Sequence, residues 1–359
     1  MVDPEQLRPP ETRGHYSVAN VPAAWYVACR SHELGEAPMT QTILGVPLVL
    51  YRDAGERAAA LLDRCPHRNV RLSLGQVDPE GHLACGYHGW RFDGKGRCVD
   101  VPGMLSTDEA AARGRSVPAY AVREQDGFIW VWGQPDTDPR GEPVRIPFVE
   151  DPDYLVVHRE YLFESTLHAA LENALDVPHT AFVHKGDFRG QGERQSIEAV
   201  RRRIPDGIEV EYEGEKPLMG DHHDEEGRVI VQKHWDRFFM PSVAQVEYKT
   251  GDQRHLITTL PHTPISDFQT RAWLVSCWKV PGLDESGREG VEAYLDQILA
   301  QDVEVLREQT ESLRRFGGEA YRSTELDLMG PAIWHMLKQS ERGLDPNASD
   351  ISRRIQLSV

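Results

Sequence analysis

The sequence predicts an α+β protein of two domains, and three observations carry that reading. A turn-rich stretch over 40–133 holds short β-type runs. Strand-like runs then succeed one another from 154 to 280, and a single long amphipathic helix over 291–316 closes the series. Together they predict a small all-β domain followed by an antiparallel sheet wrapped around a long helix. A length of 359 residues is enough for two cores.

The elements follow in chain order. Residues 43–51 and 128–132 are rich in Val, Ile and aromatics and read as strands. Between them, 90–92 and 97–99 flank Asp93-Gly94-Lys95-Gly96, a hairpin composition. Residues 134–147 contain four prolines and read as a linker. Beyond it, 154–163 is strand-like, and 166–176 is helical in pattern and stopped near Pro178. Strand-like runs follow at 208–212, 229–232, 243–248, 255–260 and 273–280. The helix over 291–316 ends at Gly317-Gly318, a C-terminal stop. The expected domains are therefore 40–133 and 141–359, with 1–39 packing near the second.

Composition narrows the function. Forty Lys+Arg against 57 Asp+Glu give a net charge of −17, which argues against a nucleic-acid partner. Residues 40–133 hold 11 basic and 11 acidic side chains, so the acidity lies elsewhere. No stretch approaches the ~18 apolar residues of a membrane helix, and residues 1–10 show no signal-peptide core, so a cytoplasmic protein without a membrane partner is expected. Five cysteines do not make a disulfide scaffold. The acidic cluster 221–226 and the triplet Arg201–Arg203 read as solvated faces.

Three of the five cysteines fall in the first domain, and two of them belong to a motif. Cys65-Pro66-His67 is followed, after 17 intervening residues, by Cys85-Gly86-Tyr87-His88. Each loop offers one thiolate and one imidazole. A Rieske [2Fe–2S] centre needs this set, with two Cys on one iron and two His on the other. A single Cys₂His₂ zinc is the competing reading, although zinc fingers pair like with like. Gly86 and Gly89 are expected where backbone passes close to the cluster. Cys29, Cys98 and Cys277 lie outside the pattern and read as core thiols.

At Cys65-Pro66-His67-Arg68 and Cys85-Gly86-Tyr87-His88-Gly89-Trp90 the chain resembles the Rieske non-haem iron oxygenases, in particular their α-only members. The resemblance implies a Rieske domain followed by a helix-grip, START-like catalytic domain with a mononuclear iron site. His179 and His184 are candidates for that site. Five residues turn a helix by about 140°, so an unbroken helix would part them, and Pro178 supplies the break. Taken alone, the pair also fits two polar residues near a helix end. Asp302 adds weight. Val291, Leu295, Ile298, Leu306, Gln309 and Leu313 form an apolar stripe, and Asp302 falls on it. A core-facing carboxylate needs a partner, and positions 298, 299, 305 and 306 offer no Lys or Arg. With the two histidines it would complete a 2-His-1-carboxylate set for Fe(II). Asp296 and Asp176 are rivals for the third place, Asp296 reading as solvated. The resemblance extends to Asn173 and to Asp176, which matches the residue that joins a cluster-ligand His of one subunit to an iron-ligand His of the next. That role implies a ring, usually a homotrimer.

The function expected is a terminal oxygenase that uses O₂ to hydroxylate or oxidatively demethylate an aromatic or polycyclic small molecule. Electrons are expected from a separate ferredoxin or flavin reductase, since no Gly-x-Gly-x-x-Gly follows a strand. Arg64, Arg68 and Arg91 flank the cluster loops and are expected to form a basic rim for an acidic donor, the competing reading being ordinary surface arginines. Trp235, Phe238, Phe239, Met240 and Trp273 are candidate pocket walls, though such residues more often fill a core. Alternatives are a cis-dihydroxylating dioxygenase of the same family, a metal-stabilised ligand-binding protein without catalysis, and a pure electron carrier.

Overall fold

The computed structural model describes residues 20–104, 114–185, 196–215, 227, 230–251, 253–348 and 351–358. They fall into two compact units divided between Arg145 and Ile146, with Asn20 counting in the second. The acidic cluster 221–226 lies outside the described residues.

The first unit is all β. Its strands are β1 Trp25–Arg30, β2 Met39–Ile43, β3 Val46–Arg52, β4 Ala58–Leu62, β5 Gln76–Val77, β6 Leu83–Ala84, β7 Arg91–Phe92, β8 Cys98–Asp100, β9 Ala119–Tyr120, β10 Val122–Gln125 and β11 Phe128–Trp132. They form three antiparallel sheets, ordered β1-β11-β10, β2-β3-β4-β9 and β5-β6-β7-β8. All five residues of β11 are buried, as a central strand requires. β1 pairs along it, so the segment from Trp25 belongs to this unit and not with the second, where 1–39 was expected. The physical reason is that Trp-Tyr-Val-Ala-Cys is apolar on both faces and fills the flank of β11, with Trp25 edge-on to Trp132 at 5.6 Å. The run 43–51 is not one strand. Leu44 and Gly45 both take positive φ and fold it into the β2–β3 hairpin, a two-residue turn whose twist matches its strands.

The second unit comprises β12 Leu155–Phe163, α1 Leu167–Ala174, β13 Ser196–Ile204, β14 Gly207–Glu213, β15 Gln232–Phe239, β16 Val243–Thr250, β17 Arg254–Ser266, β18 Gln269–Lys279, α2 Arg288–Phe316, α3 Gly330–Glu341 and β19 Arg353–Ser358. Eight strands make one antiparallel sheet, ordered β12-β18-β17-β16-β15-β14-β13-β19. α2 packs along β12, and α1 packs on β16, β17 and β18. α2 buries Val291, Leu295, Ile298, Leu299, Leu306 and Leu313, and ends at Gly317 in the left-handed conformation. Thr166 caps α1 by accepting the Ala169 N–H.

Two expectations shift here. The strand expected over 229–232 begins at Gln232 and runs on to Phe239, because its alternation is carried by polar buried residues that hydropathy misses. The triplet Arg201–Arg203 is only in part a solvated face, with Arg202 exposed and its neighbours half-buried. It lies in β13, where Arg201 donates to the Leu328 and Ile351 carbonyls, Arg202 pairs with Glu209 and Glu211, and Arg203 donates to Asn347. Among the described residues no helix is long and apolar enough to cross a membrane.

Candidate metal centres

The two cysteine loops of the first unit share one backbone design. The Cys65 N–H donates to the Val70 carbonyl and the Cys85 N–H to that of Trp90, each five residues on. The Cys65 carbonyl accepts from Asn69 and the Cys85 carbonyl from Gly89, each four residues on. Asn69 and Gly89 occupy equivalent places with φ of 62° and 69°. Only Gly and the short polar residues take that conformation at low cost, so the sequence has one of each. Gly86 meets a separate constraint: a Cβ there would lie 2.8 Å from the Leu74 carbonyl oxygen. The close approach is to neighbouring backbone. Asp63 is buried and fixes the loop entry by accepting from the Ser73 N–H at 2.8 Å and its hydroxyl at 2.6 Å.

These loops bring Cys65, Cys85, His67 and His88 together. Both thiols are buried, and their side chains interact. Burial, with the Cys85 thiol alongside, pushes the Cys65 thiol up to about 11. The His67 and His88 rings lie 4.6 Å apart, and Trp90 stacks on His67 at 4.6 Å with planes 5° from parallel. His67 Nδ1 is buried with no hydrogen-bond partner among the described residues. An orphaned imidazole nitrogen beside two buried thiols fits a bound cationic cluster, which supplies the missing partner and removes the thiol protons. Arg91 is spent on Asp78 and Asp100, at 3.3 and 3.1 Å, so only Arg64 and Arg68 of the expected rim are exposed.

In the second unit α1 stops at Ala174, and Pro178 opens a short 3₁₀ turn through Ala181. The break turns His179 and His184 toward each other, their Nε2 atoms 3.3 Å apart. Asp302, on the buried face of α2, places Oδ1 3.6 Å from His179 Nε2 and 3.2 Å from His184 Nε2. One ligand atom from each of the three lies within 4.8 Å of the others. Asp296 is instead half-exposed and accepts from Arg159 and Tyr161.

A second tier aims these groups. His179 Nδ1 faces the Asp176 carbonyl, and Asp176 Oδ2 accepts the His179 N–H at 3.0 Å. His184 Nδ1 lies 2.6 Å from Gln301 Oε1, and Asn173 Nδ2 donates to Asp302 Oδ1 at 3.1 Å. With both Nδ1–H groups engaged, both Nε2 lone pairs face the centre. Gln301 escapes a reading of the sequence. Its one signal is adjacency to Asp302, and only packing reveals what it holds.

Charge follows geometry. Burial opposes a proton on His179, but Asp176 and Asp302 outweigh it and hold the pKa up at about 9. Asp302 and Gln301 raise His184 against burial in the same way. Burial resists charge on Asp302 too, yet the two histidines draw its pKa down. The three groups thus favour positive charge between them, which a divalent metal supplies in place of the protons. Hard carboxylate and imidazole donors suit Fe(II).

The centre opens into a cavity of about 570 Å³ walled by apolar side chains such as Leu256, Leu260, Leu274, Ile298 and Leu299. Trp235, Phe238, Phe239, Met240 and Trp273 do not line it. On β15 the wall is His234 and Asp236, with Trp235 on the opposite face and Phe238 on the same face but beyond the cavity; on β18 it is Leu274 and not its neighbour Trp273. Alternation and position along the strand together assign the wall, and aromatic character does not.

An all-β unit with paired Cys and His loops, joined to a sheet-and-helix unit with two His and a carboxylate at a cavity, defines a two-centre metalloprotein. Residues 24–120 match the family model for the Rieske [2Fe-2S] domain, and 163–339 match that for the vanillate O-demethylase oxygenase C-terminal domain. The chain belongs to the Rieske non-haem iron oxygenases. It is 40% identical over 167 residues to the oxygenase component of dicamba O-demethylase from Stenotrophomonas maltophilia, covering 46% of this chain and 48% of that one. It is 34% identical over 173 residues to the vanillate O-demethylase oxygenase subunit of Pseudomonas sp. (strain HR199 / DSM 7063), covering 47% and 46%. The matched stretch spans about half the length of these curated relatives. Over the fold, the crystal structure of dicamba monooxygenase bound to dicamba superposes with a TM-score of 0.75 at 26% identity, covering 90% of this chain and 98% of that one.

Proposed function

We propose that this chain is a terminal oxygenase component that monooxygenates an aromatic or polycyclic small molecule, by hydroxylation or oxidative demethylation. The observation that carries the reading is the convergence of His179, His184 and Asp302 at an apolar cavity, in a chain that also has a Rieske domain. Cys65, His67, Cys85 and His88 would hold the [2Fe–2S] cluster, and His179, His184 and Asp302 the Fe(II). When bound, the two groups supply the redox chemistry, in which one oxygen of O₂ enters the substrate and the other leaves as water with two electrons and two protons. The protein's own work is positional. Asp176 and Gln301 hold the imidazoles with Nε2 toward the metal, Asn173 holds Asp302, and the leucine and isoleucine walls exclude water and orient the substrate.

A separate ferredoxin or reductase would deliver the electrons, with exposed His88 and the Arg64 and Arg68 side chains at its docking face. Asp176 would join the cluster of one protomer to the iron of the next in a homotrimer, and its partial exposure supports that. A cytoplasmic location is part of the same proposal. The names of the relatives favour demethylation over cis-dihydroxylation.

The test is metal analysis of anaerobically purified protein with visible and reduced-state EPR spectra. About three irons and two sulfides per chain with a Rieske-type spectrum are expected. Zinc without sulfide would overturn the reading. Two irons and two sulfides that added Fe(II) does not raise would make the chain an electron carrier.

A further inference from the structure

A second cavity, of about 370 Å³, lies in the second unit where edge strand β19 pairs with β13. Arg201 of β13 and Arg353 of β19 line it, with His335 of α3 and with Ser323, Thr324 and Asp327 from the segment between α2 and α3. It shares no residue with the apolar cavity or with either metal centre, so what it binds is independent of the oxygenase reading.

The register makes Arg201 and Arg353 direct partners across the two strands. Along the same row Ile197 faces Leu357 and Ala199 faces Ile355, so this face is apolar until it reaches the two arginines. Like charges directly opposite each other on a sheet are destabilising. Burial and the Arg353 charge together draw the Arg201 pKa down. The neighbouring arginines have carboxylate partners: Arg202 pairs with Glu209 and Glu211, and Arg354 with Glu198 at 2.5 Å. Arg201 and Arg353 form no ion pair among the described residues. Arg201 instead donates Nε–H to the Ile351 carbonyl at 2.7 Å and an Nη1 hydrogen to that of Leu328, which fixes the guanidinium without neutralising it.

Donors are left over. A guanidinium has five N–H groups; Arg201 uses two of them, and the Arg353 side chain makes no hydrogen bond among the described residues. Thr324 Oγ1 accepts the Leu326 N–H at 3.2 Å and keeps its own hydrogen to give, and Ser323 beside it is exposed. Asp327 is the one carboxylate on the lining among the described residues; it accepts the Thr324 N–H and pairs with neither arginine. Two guanidiniums against one carboxylate leave the lining electropositive in a chain whose net charge is −17. Such a chain repels anions at long range, so a dianion that binds here is held by local geometry. The guanidinium fork matches carboxylate and phosphate oxygens, and the volume falls in the range of small-ligand sites.

We propose that this cavity binds a small organic dianion through its phosphate or carboxylate oxygens, held by Arg201 and Arg353 across the β13–β19 pair with the Ser323 and Thr324 hydroxyls as further donors. The bound anion turns a cross-strand repulsion into a bridge and fastens β19 to the sheet.

The experiment is isothermal titration of the metal-loaded protein with phenyl phosphate and with succinate, ionic strength being held with potassium chloride. Binding at a single site with Kd below ~1 mM is expected for at least one of them, and the tighter probe tells a phosphomonoester from a dicarboxylate. Arg201→Gln and Arg353→Gln are each expected to weaken that binding at least about tenfold, the scale of a charge-assisted hydrogen bond. Arg354→Gln removes the same charge one residue away, on the opposite face of β19, and is expected to leave the affinity unchanged. The tighter probe is also expected to raise the melting temperature of wild-type protein and not that of Arg353→Gln. No binding of either probe by wild-type protein overturns the proposal. Equal weakening by Arg354→Gln overturns it as well, since general electrostatics would then explain the binding. So does full affinity in Arg201→Gln and Arg353→Gln, which would place the anion elsewhere on the molecule.

Discussion

Asp302 occupies a place on α2 where a leucine would serve the core better, and His179, His184 and Asn173 account for it. A buried carboxylate persists when each of its lone pairs has a use. Asn173 is the neutral member of that group. It directs Asp302 without competing for the metal, so its loss should loosen the site and leave the fold intact. Asn173→Ala is expected to weaken iron binding about tenfold, the usual scale for groups that orient a ligand. Chelator competition measures this, with the visible spectrum of the cluster unchanged as the internal control. Full iron affinity in the variant would remove Asn173 from the site. His67, with its partnerless Nδ1 under the Trp90 ring, is the corresponding sign in the other unit. At this scale much was legible in the sequence. Ligand types and spacings are local, and a carboxylate on an apolar stripe announces itself. Gln301, His234 and Asp236 were not legible, since a polar residue on a strand or helix is ordinary until its neighbours are known.

Among the elements, the break between α1 and the 3₁₀ turn at Pro178–Ala181 does most to build the proposed iron site. Pro178 has no N–H to give a continuing helix, and its ring disfavours one. Pro178→Ala lifts that restriction. Continuation of α1 through this segment would swing His184 about 140° away from His179. The variant is expected to keep its cluster and lose iron occupancy at limiting Fe(II), read by metal analysis and the cluster's absorbance. Unchanged occupancy would mean that packing alone holds the break. The long helix, with its stripe and its Gly317 stop, was plain in the sequence because an amphipathic period and a glycine C-cap are local signals. Helix α3 and strand β19 were not anticipated, and the run 43–51 concealed a hairpin. Short elements without strong periodicity are decided by what they pack against.

For the whole molecule, the proposed function requires electrons to pass from a Rieske cluster to an iron held by a different unit. Asp176 is the residue on which that proposal turns, because it already holds His179 through backbone and side chain. Asp176→Asn keeps an oxygen that can accept the His179 N–H while removing the charge. It is expected to bind both metals in full and to lose coupled turnover by more than about a hundredfold, consistent with a removed connection between two intact centres. Normal turnover would sink the bridging role, and lost iron would recast Asp176 as a positioning residue only.

The sequence by itself determined the α+β plan, the Cys-x-His and Cys-x-x-His loops and the three residues that converge in the second unit, because the loop motifs and the histidine pair are written in spacings of five residues or fewer and Asp302 in a helical period. Tertiary structure decided the rest. It assigned residues from Trp25 onward to the first unit, since a doubly apolar strand goes where an open sheet flank can bury it. It brought Asp302 of α2 to His179 and His184 and left Asp296 paired at the surface. It also chose the cavity wall, because on a strand one residue of register decides which side chains face inward, and register is set by partners far away in the chain.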